Sequence, residues 1–563
     1  MIILSVKKIK RIIFFLLVIS LFYTRFANLS WGLPYPFHPD ERNMAQAIAQ
    51  LHCKLFDLKD CFNPHFFAYG QFPLYLGYGM AYILRFFSPS ALSDISFKDA
   101  ALALRIVSAA ASVMMAYFVV KIVQILNYTE SGSLSLFIPF LAVVFSPALI
   151  QFAHFGTTES LLMLFYIWLV YESLLLMRKK ITPKHFLLIA SIVSGLALAT
   201  KASALIFMAP PVATIIYYHR NKFYEIFKSL SLYFLLSMLV GVFFSPHNLI
   251  SFNEFIGTLS YESAVALGTL PVFYTRQFAG TIPILFQFVK IFPYALGWPI
   301  LLSFILGFFV LPIGRQENLL RFSFLIYFLS NAFLYAKWSR FMAPAMPLII
   351  VIAVLTLIRF SGWLFNTVNE NLNEKSKIEE QKMSTKNFLH LGYYCLILVI
   401  TFSFIIPGMA YLSVYAHQDV RFTASDWING NIRKNSIILS ETANVVDIPV
   451  TNPNNDKIIS FNFYDLDTDR GLQQELKQDL QKADYIFIPS RRIFMNHPKE
   501  KYPLLSDYYS KLFSGSLGFN KVAEFTAYPE ISFLGQTLLK FPDERAEETW
   551  SVFDHPVIRI YQK

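Results

Sequence analysis

Residues 7–42 read KKIKRIIFFLLVISLFYTRFANLSWGLPYPFHPDER, and the order of their parts decides the fold. The cations Lys7, Lys8, Lys10 and Arg11 precede an apolar run from Ile12 to Ala27. No small-residue cleavage site follows, so the run is read as a retained first span with the amino end in the cytoplasm. Just beyond it, His38-Pro39-Asp40-Glu41 carries two adjacent carboxylates. Charge placed so close to hydrocarbon is costly, which points to an active site held at the membrane surface.

The remainder has the same character. A chain of 563 residues that is 55% hydrophobic, 17% aromatic and 15% charged, with mean hydropathy +0.47, does not pack as soluble globules. It is expected to be a polytopic α-helical membrane protein.

Lys and Arg mark cytoplasmic loops, so the spans can be counted by parity. Arg178, Lys179, Lys180 and Lys184 form one cluster and Arg220, Lys222 and Lys228 the next, so an even number of spans separates them. Residues 186–218 are therefore read as two short spans meeting near Lys201. Gln71 to Phe87 is apolar but is read as interfacial, because counting it would place the Arg178 cluster outside.

About eleven spans result, at 12–27, 99–123, 135–153, 159–177, 186–200, 203–218, 229–249, 284–311, 322–336, 341–360 and 391–412. Residues 28–98, 251–281 and everything after Tyr415 then lie outside. The segment 361–390, with Glu370, Glu374, Lys375, Lys377, Glu379, Glu380 and Lys382, is read as a solvated cytoplasmic connector.

Two domains follow from this pattern: a transmembrane module over 1–415 and a soluble extracytoplasmic α/β domain over 416–563. In the latter, short apolar runs at Ser436 to Leu439, Asp484 to Pro489 and Val557 to Tyr561 alternate with charged helical stretches. Ala424 to Ile432 reads as a helix leading into the first of these strands. Cys53 and Cys61 share the first exterior loop, where a disulfide and two free thiols are alternatives. Cys395, inside the last span, reads as a small apolar filler.

The net charge of +11 does not indicate nucleic acid, because the basic residues are spread over loops that topology already makes cytoplasmic. No G-x-x-x-x-G-K-[ST] loop is present. ATP hydrolysis is thereby excluded as the energy source, and any reaction must use a substrate already activated.

Four polar groups fall near span ends on the exterior side: Asp40 with Glu41, His154 with Glu159, Lys201, and Lys337 with Arg340. Carboxylates can accept the proton of an attacking hydroxyl, while Lys and Arg stabilise negative charge on a departing phosphate. The combination suits transfer from a lipid-linked phosphate ester.

These residues also carry a resemblance. Phe37-His38-Pro39-Asp40-Glu41-Arg42 resembles the acidic pair in the first exterior loop of the GT-C glycosyltransferases. The branch it is most similar to is the PMT-like one, related to dolichyl-phosphate-mannose protein mannosyltransferases and bacterial lipid A aminoarabinose transferases. Phe152 to Ser160 resembles the opening of that family's fourth span, with Glu159 where relatives commonly carry Asp. Gly195-Leu196-Ala197-Leu198-Ala199-Thr200-Lys201 resembles its G-x-x-x-x-T-K turn. Trp338 to Pro347 resembles its R-Y-x-x-P-x-x-P segment, with Phe341 in place of Tyr. The resemblance covers roughly residues 10–360.

It implies a multi-pass cell-membrane enzyme that transfers a hexosyl or pentosyl group, with inversion, from a polyprenyl-phosphate sugar to an acceptor hydroxyl on protein, lipid or polysaccharide. Asp40, beside Glu41, would be the catalytic base. Lys201 and Arg340 would hold the donor phosphate, and His154 and Glu159 would contact substrate. No cofactor is firmly expected. A minority reading has His38, Asp40, Glu41 and Glu159 binding Mg or Mn, as in oligosaccharyltransferase relatives.

Plainer readings exist for each residue. Asp40 can cap a helix that starts at Glu41, and Thr158 with Glu159 can cap another. Lys201 and Arg340 can be snorkelling anchors, the latter with Tyr335 and Trp338 in an aromatic belt. His154 can be a satisfied interfacial histidine. Tyr261, Phe273, Tyr274 and Phe278 in the middle loop suit either lipid or sugar. A transporter or flippase is the alternative function; it calls for charges deep inside spans and repeated halves, whereas the candidate residues gather at one face and no internal repeat is seen.

Overall fold

A computed structural model of the chain describes residues 6–53, 60–86, 94–127, 134–374, 381–441, 448–449 and 456–563. The connector charges Lys375, Lys377, Glu379 and Glu380 lie outside the described residues. The membrane part is helical. Its first helices are α1 (Val6–Phe26), α2 (Pro39–Ala49), α3 (Gln71–Phe86), α4 (Phe97–Leu126), α5 (Leu134–Val144), α6 (Pro147–His154), α7 (Glu159–Met177) and α8 (Pro183–Thr200). There follow α9 (Ala209–Tyr218), α10 (Phe223–Phe244), α11 (His247–Ile250), α12 (Phe252–Leu267), α13 (Phe292–Leu296), α14 (Trp298–Val310), α15 (Arg315–Ala332), α16 (Met346–Glu374) and α17 (Gln381–Ala416). The 3-10 turns Ala202–Met208 and Ser339–Ala345 lead into α9 and α16.

By length and apolar content, six helices among the described residues suffice to cross a membrane, or up to eight if each bent pair is one span. Single helices cover the expected spans at 99–123, 159–177, 186–200 and 391–412, and α10 and α16 cover most of two others. The segments 12–27, 203–218 and 322–336 are largely helical as well, within α1, Ala202–Tyr218 and α15.

The segment 284–311, expected as one continuous span, is broken. Gln287–Leu296 and α14 meet at 119°, at Gly297 with φ +81°. Only glycine adopts that backbone freely, and Pro299 two residues on supplies no N–H for a continuing helix. A milder bend of 53° separates α5 from α6, where Pro147 opens the second helix.

One apolar core runs from Leu17 of α1 to Tyr415 of α17 and takes in Trp550 and Phe553 from the far end of the chain. Arg25, fully buried, staples α1 to its neighbours. It donates to Ser112 Oγ at 2.9 Å, Val143 O at 2.6 Å and Val144 O at 3.2 Å. The last two carbonyls lie in the closing turn of α5, where carbonyls lack the regular helical bond, and a cation is favourably placed there. The segment between α2 and α3 carries a disulfide between Cys53 and Cys61.

Beyond Ala416 the chain forms a strand-containing domain. Its strands are β1 (Ile437–Glu441), β2 (Lys457–Phe461), β3 (Tyr485–Ile488), β4 (Asn520–Phe525), β5 (Glu530–Phe533), β6 (Gln536–Lys540) and β7 (Ile558–Gln562). Five of them form one sheet in the order β2-β1-β3-β7-β4, with β1 parallel to β2 and β3 and with β7 antiparallel to β3 and β4. Leu439, Ile486, Ile488 and Tyr561 pack on one face, and Ile438, Tyr485, Phe487 and Ile560 on the other. Burial on both faces is why these strands read as continuous apolar runs.

Candidate active site

His38 has extended backbone and caps α2, its side chain accepting from Glu41 N–H at 3.4 Å, and Pro39 opens the helix. The capping role therefore belongs to His38 and not to Asp40. Thr158 precedes α7 but makes no side-chain cap bond. The His38 ring packs between Phe155 and Phe553, with centroids at 4.6 and 4.5 Å.

This start frame fixes where each carboxylate points, since successive helical residues diverge by about 100°. Glu41 faces the protein interior, where Arg105 grips it bidentately, Nη2 to Oε1 at 2.7 Å and Nε to Oε2 at 2.8 Å. Gly156 N–H adds a third bond at 2.6 Å. Arg105 also donates to Leu29 O and Trp31 O, so the pair binds the first exterior loop to α4.

Asp40 faces a cavity of about 520 Å³, within the size range of small-molecule sites. Arg340 Nη1 donates to Asp40 Oδ2 at 2.7 Å across 300 residues of sequence. The Arg340 guanidinium lies over the Trp338 ring at 4.6 Å, and its buried Nε has no partner. Lys201 also lines this cavity, at the extended corner after α8. Its ammonium lies over the rings of Tyr69 and Phe341 at 5.1 and 5.5 Å. Among the described residues it has no carboxylate partner within ion-pair distance, so both cations retain donor capacity toward the cavity.

Burial alone would raise the Asp40 carboxyl. The charges of Arg340, His38 and Lys201, with a hydrogen bond from Tyr69, outweigh that and hold it below the usual carboxylate range. The His38 imidazole is lowered by burial, against the raising effect of Asp40 and Glu41.

Glu159, buried at the first position of α7, lies close enough to interact electrostatically with both Lys201 and Arg340. It does not line the cavity wall.

Two of the residues expected at the site lie elsewhere than on the cavity wall. Glu41 is engaged by Arg105 inside the protein and does not line the cavity. His154 is buried, with Nδ1 on Ile150 O at 2.8 Å, Nε2 on Ala27 O at 2.9 Å and its ring stacked on Tyr415 at 3.8 Å. Both ring nitrogens are spoken for, and the residue does not line the cavity. Lys337, grouped with Arg340 in the sequence, turns instead to Tyr335 O at 3.0 Å.

The residues of the minority metal reading, His38, Asp40, Glu41 and Glu159, do not come together as a cluster of three or more side-chain ligands, and no such cluster occurs among the described residues.

The cavity also contains residues the motifs did not single out. Tyr69 sits beside Lys201 because Gly70 N–H donates to Thr200 O at 2.9 Å, docking the loop on the Lys201 corner. A Cβ on Gly70 would lie 1.9 Å from Ala199 O, so only glycine permits this approach. Gly70→Ala is therefore expected to displace Tyr69 from Lys201 and lower the thermal midpoint in detergent; an unchanged midpoint and activity would show the loop docks otherwise.

Glu262 of α12 faces Arg340 and Lys201 from the middle loop, its carboxyl raised by burial against the pull of both cations. Phe273 and Tyr274 line the same wall, and Arg492, Thr549 and Phe553 close it from the C-terminal domain.

No family model and no curated protein matches the chain. Among solved structures it is similar to the apo oligosaccharyltransferase of Archaeoglobus fulgidus, with TM-score 0.52 at 12% identity over 89% of this chain and 72% of that one. It is also similar to apo ArnT from Cupriavidus metallidurans, with TM-score 0.45 at 11% identity over 99% and 98% of the two chains. A third is the arabinofuranosyltransferase AftD from Mycobacteria, with TM-score 0.38 at 12% identity over 98% of this chain and 41% of that one. At these identities the likeness speaks for fold alone, and over 89% of the chain that fold is similar to the oligosaccharyltransferase's.

Proposed function

We propose that the chain is a membrane glycosyltransferase that moves a sugar from a polyprenyl-phosphate donor to an acceptor hydroxyl, with inversion, on the exterior face. The observation that carries this reading is the convergence of Asp40, Lys201 and Arg340 on one cavity, brought there by three separate segments.

The steps balance with these groups alone. The acceptor oxygen attacks the anomeric carbon from the face opposite the phosphate, the bond from that carbon to the phosphate oxygen breaks, and the acceptor proton passes to Asp40. The polyprenyl phosphate leaves with one more negative charge than it carried as a diester. Lys201 and Arg340 offer it two cations, the guanidinium as a planar fork.

When the donor phosphate engages Arg340, the bond to Asp40 slackens and the carboxylate becomes a stronger base at the moment of transfer. Tyr261, Phe273 and Tyr274 provide aromatic surface along the same wall, suited to a sugar ring. The acceptor is a protein, lipid or polysaccharide hydroxyl that reaches the cavity under the C-terminal domain, which this reading places outside the cell membrane.

The test is transfer from radiolabelled polyprenyl-phosphate hexoses and pentoses in proteoliposomes, following both glycosylated product and released polyprenyl phosphate. Failure of every such donor to bind or react would overturn the proposal. Lys201→Ala is expected to raise the apparent KM for donor about 10- to 100-fold, the range of one charge-assisted hydrogen bond, with Lys201→Arg recovering part. An unchanged donor KM would remove Lys201 from the phosphate site.

A further inference from the structure

The strands β5 and β6 stand apart from the main sheet as a hairpin, closed at its base by Phe541 N–H to Pro529 O at 2.8 Å. Phe533 pairs with Gln536, so the turn consists of Leu534 and Gly535, both with positive φ, at 48° and 79°. Such a turn is normally Asn-Gly or Asp-Gly, because an unbranched polar side chain tolerates left-handed backbone and is content in water. Leucine is disfavoured there on both counts, yet Leu534 is 89% exposed, Phe533 65% and Leu538 62%.

The polar groups of the hairpin are instead tied off together. Ser532 Oγ donates to Glu530 Oε1 at 3.0 Å and Thr537 Oγ1 to Glu530 Oε2 at 3.3 Å. The result is an apolar tip on a satisfied polar base.

The hairpin is held against α17. Glu530 N–H donates to Ser413 Oγ at 3.0 Å, in the last turn of α17, and β5 lies against that helix. Lower on α17, Leu398, Val399, Phe402 and Met409 are exposed. This is one of the helices long and apolar enough to cross a bilayer, and those side chains need acyl chains around them. The apolar tip thus belongs to a hairpin rooted at the end of a helix suited to lipid.

We infer that this hairpin is a membrane foot: Phe533, Leu534 and Leu538 insert into the outer boundary of the bilayer beside α17. Insertion is shallow, because a two-stranded hairpin leaves edge N–H and C=O groups that must stay within reach of water and headgroups. The foot fixes the height of the C-terminal domain over the bilayer, and with it the position of Arg492, Thr549 and Phe553 above the cavity.

The test uses the full chain in phosphatidylcholine–phosphatidylglycerol liposomes, with Cys395→Ser as background and an environment-sensitive fluorophore on Leu534→Cys, or on Leu538→Cys as a second site. An exposed position elsewhere in the domain, Ser514→Cys, serves as reference. Nitroxide-bearing lipid is expected to quench the hairpin labels several-fold more than the reference label, and aqueous iodide several-fold less. Iodide quenching equal to that at Ser514 would overturn the foot. Protection from both quenchers would overturn it as well, since it would mean that protein covers the tip.

Discussion

Asp40→Asn is expected to lower the rate of sugar transfer by about 10²- to 10⁴-fold, the usual worth of a positioned general base, while the chain stays folded. The amide keeps an oxygen to accept from Arg340 at the position where Oδ2 now sits 2.7 Å away, so the cavity wall is preserved. What it lacks is a lone pair basic enough to take a proton. The loss should therefore fall on kcat, with donor affinity intact or improved, because Lys201 and Arg340 no longer share their charge with a carboxylate.

The pH profile supplies an independent check. A base must be deprotonated to act, and the carboxyl of Asp40 is held below the usual range despite its burial, mainly by Arg340. In the unmodified enzyme kcat/KM should thus stay level from neutral pH down past the ordinary carboxylate range, then fall as protons reach Asp40. An acid limb starting well above that range would show that another group takes the proton, and undiminished turnover in Asp40→Asn would remove Asp40 from the mechanism altogether.

Much of this arrangement was legible in the sequence, for identifiable reasons. Long apolar runs announce helices whatever their neighbours do, and the strands at Ile437–Glu441, Tyr485–Ile488 and Ile558–Gln562 stood out because burial on both faces left no polar alternation. Arg340 and Lys201 were visible as cations in otherwise apolar surroundings. The motif order implied one face for them, and the cavity brings both to Asp40.

The remainder depended on directions that composition does not encode. Adjacent carboxylates read as a unit, yet the helix that His38 caps turns one to the cavity and the other to Arg105. His154 was as polar as any substrate ligand, yet its ring nitrogens meet the carbonyls of Ile150 and Ala27, one of them 127 residues away. Tyr69 and Glu262 had no signal, since one tyrosine or one glutamate in an exterior loop is ordinary until the fold brings it beside a cation. The break at Gly297 had one, the Gly-Trp-Pro sequence inside an apolar run, whose breaking strength the hydropathy of the segment concealed.

The different surroundings of Asp40 and Glu41 lead to a contrasting expectation: Glu41→Ala should fail in folding where Asp40→Asn fails in chemistry. Glu41 and Arg105 are both almost wholly enclosed, with side chains 2% and 6% exposed. Removing the carboxylate leaves a guanidinium inside the protein with only Leu29 O and Trp31 O for company, and leaves Gly156 N–H without an acceptor. Breaking one partner of such a pair costs about 3–5 kcal/mol, a large fraction of the stability of most domains. The expected result is a steep fall in the thermal midpoint in detergent and in the yield of folded protein. The fraction that does fold should transfer sugar at a rate far above that of Asp40→Asn. Pairing Glu41→Leu with Arg105→Met should recover part of the midpoint, because no charge is then stranded, though the two loop carbonyls still lose their donor. A folded Glu41→Ala enzyme with normal midpoint and no activity would reverse the assignment and put Glu41 among the catalytic residues.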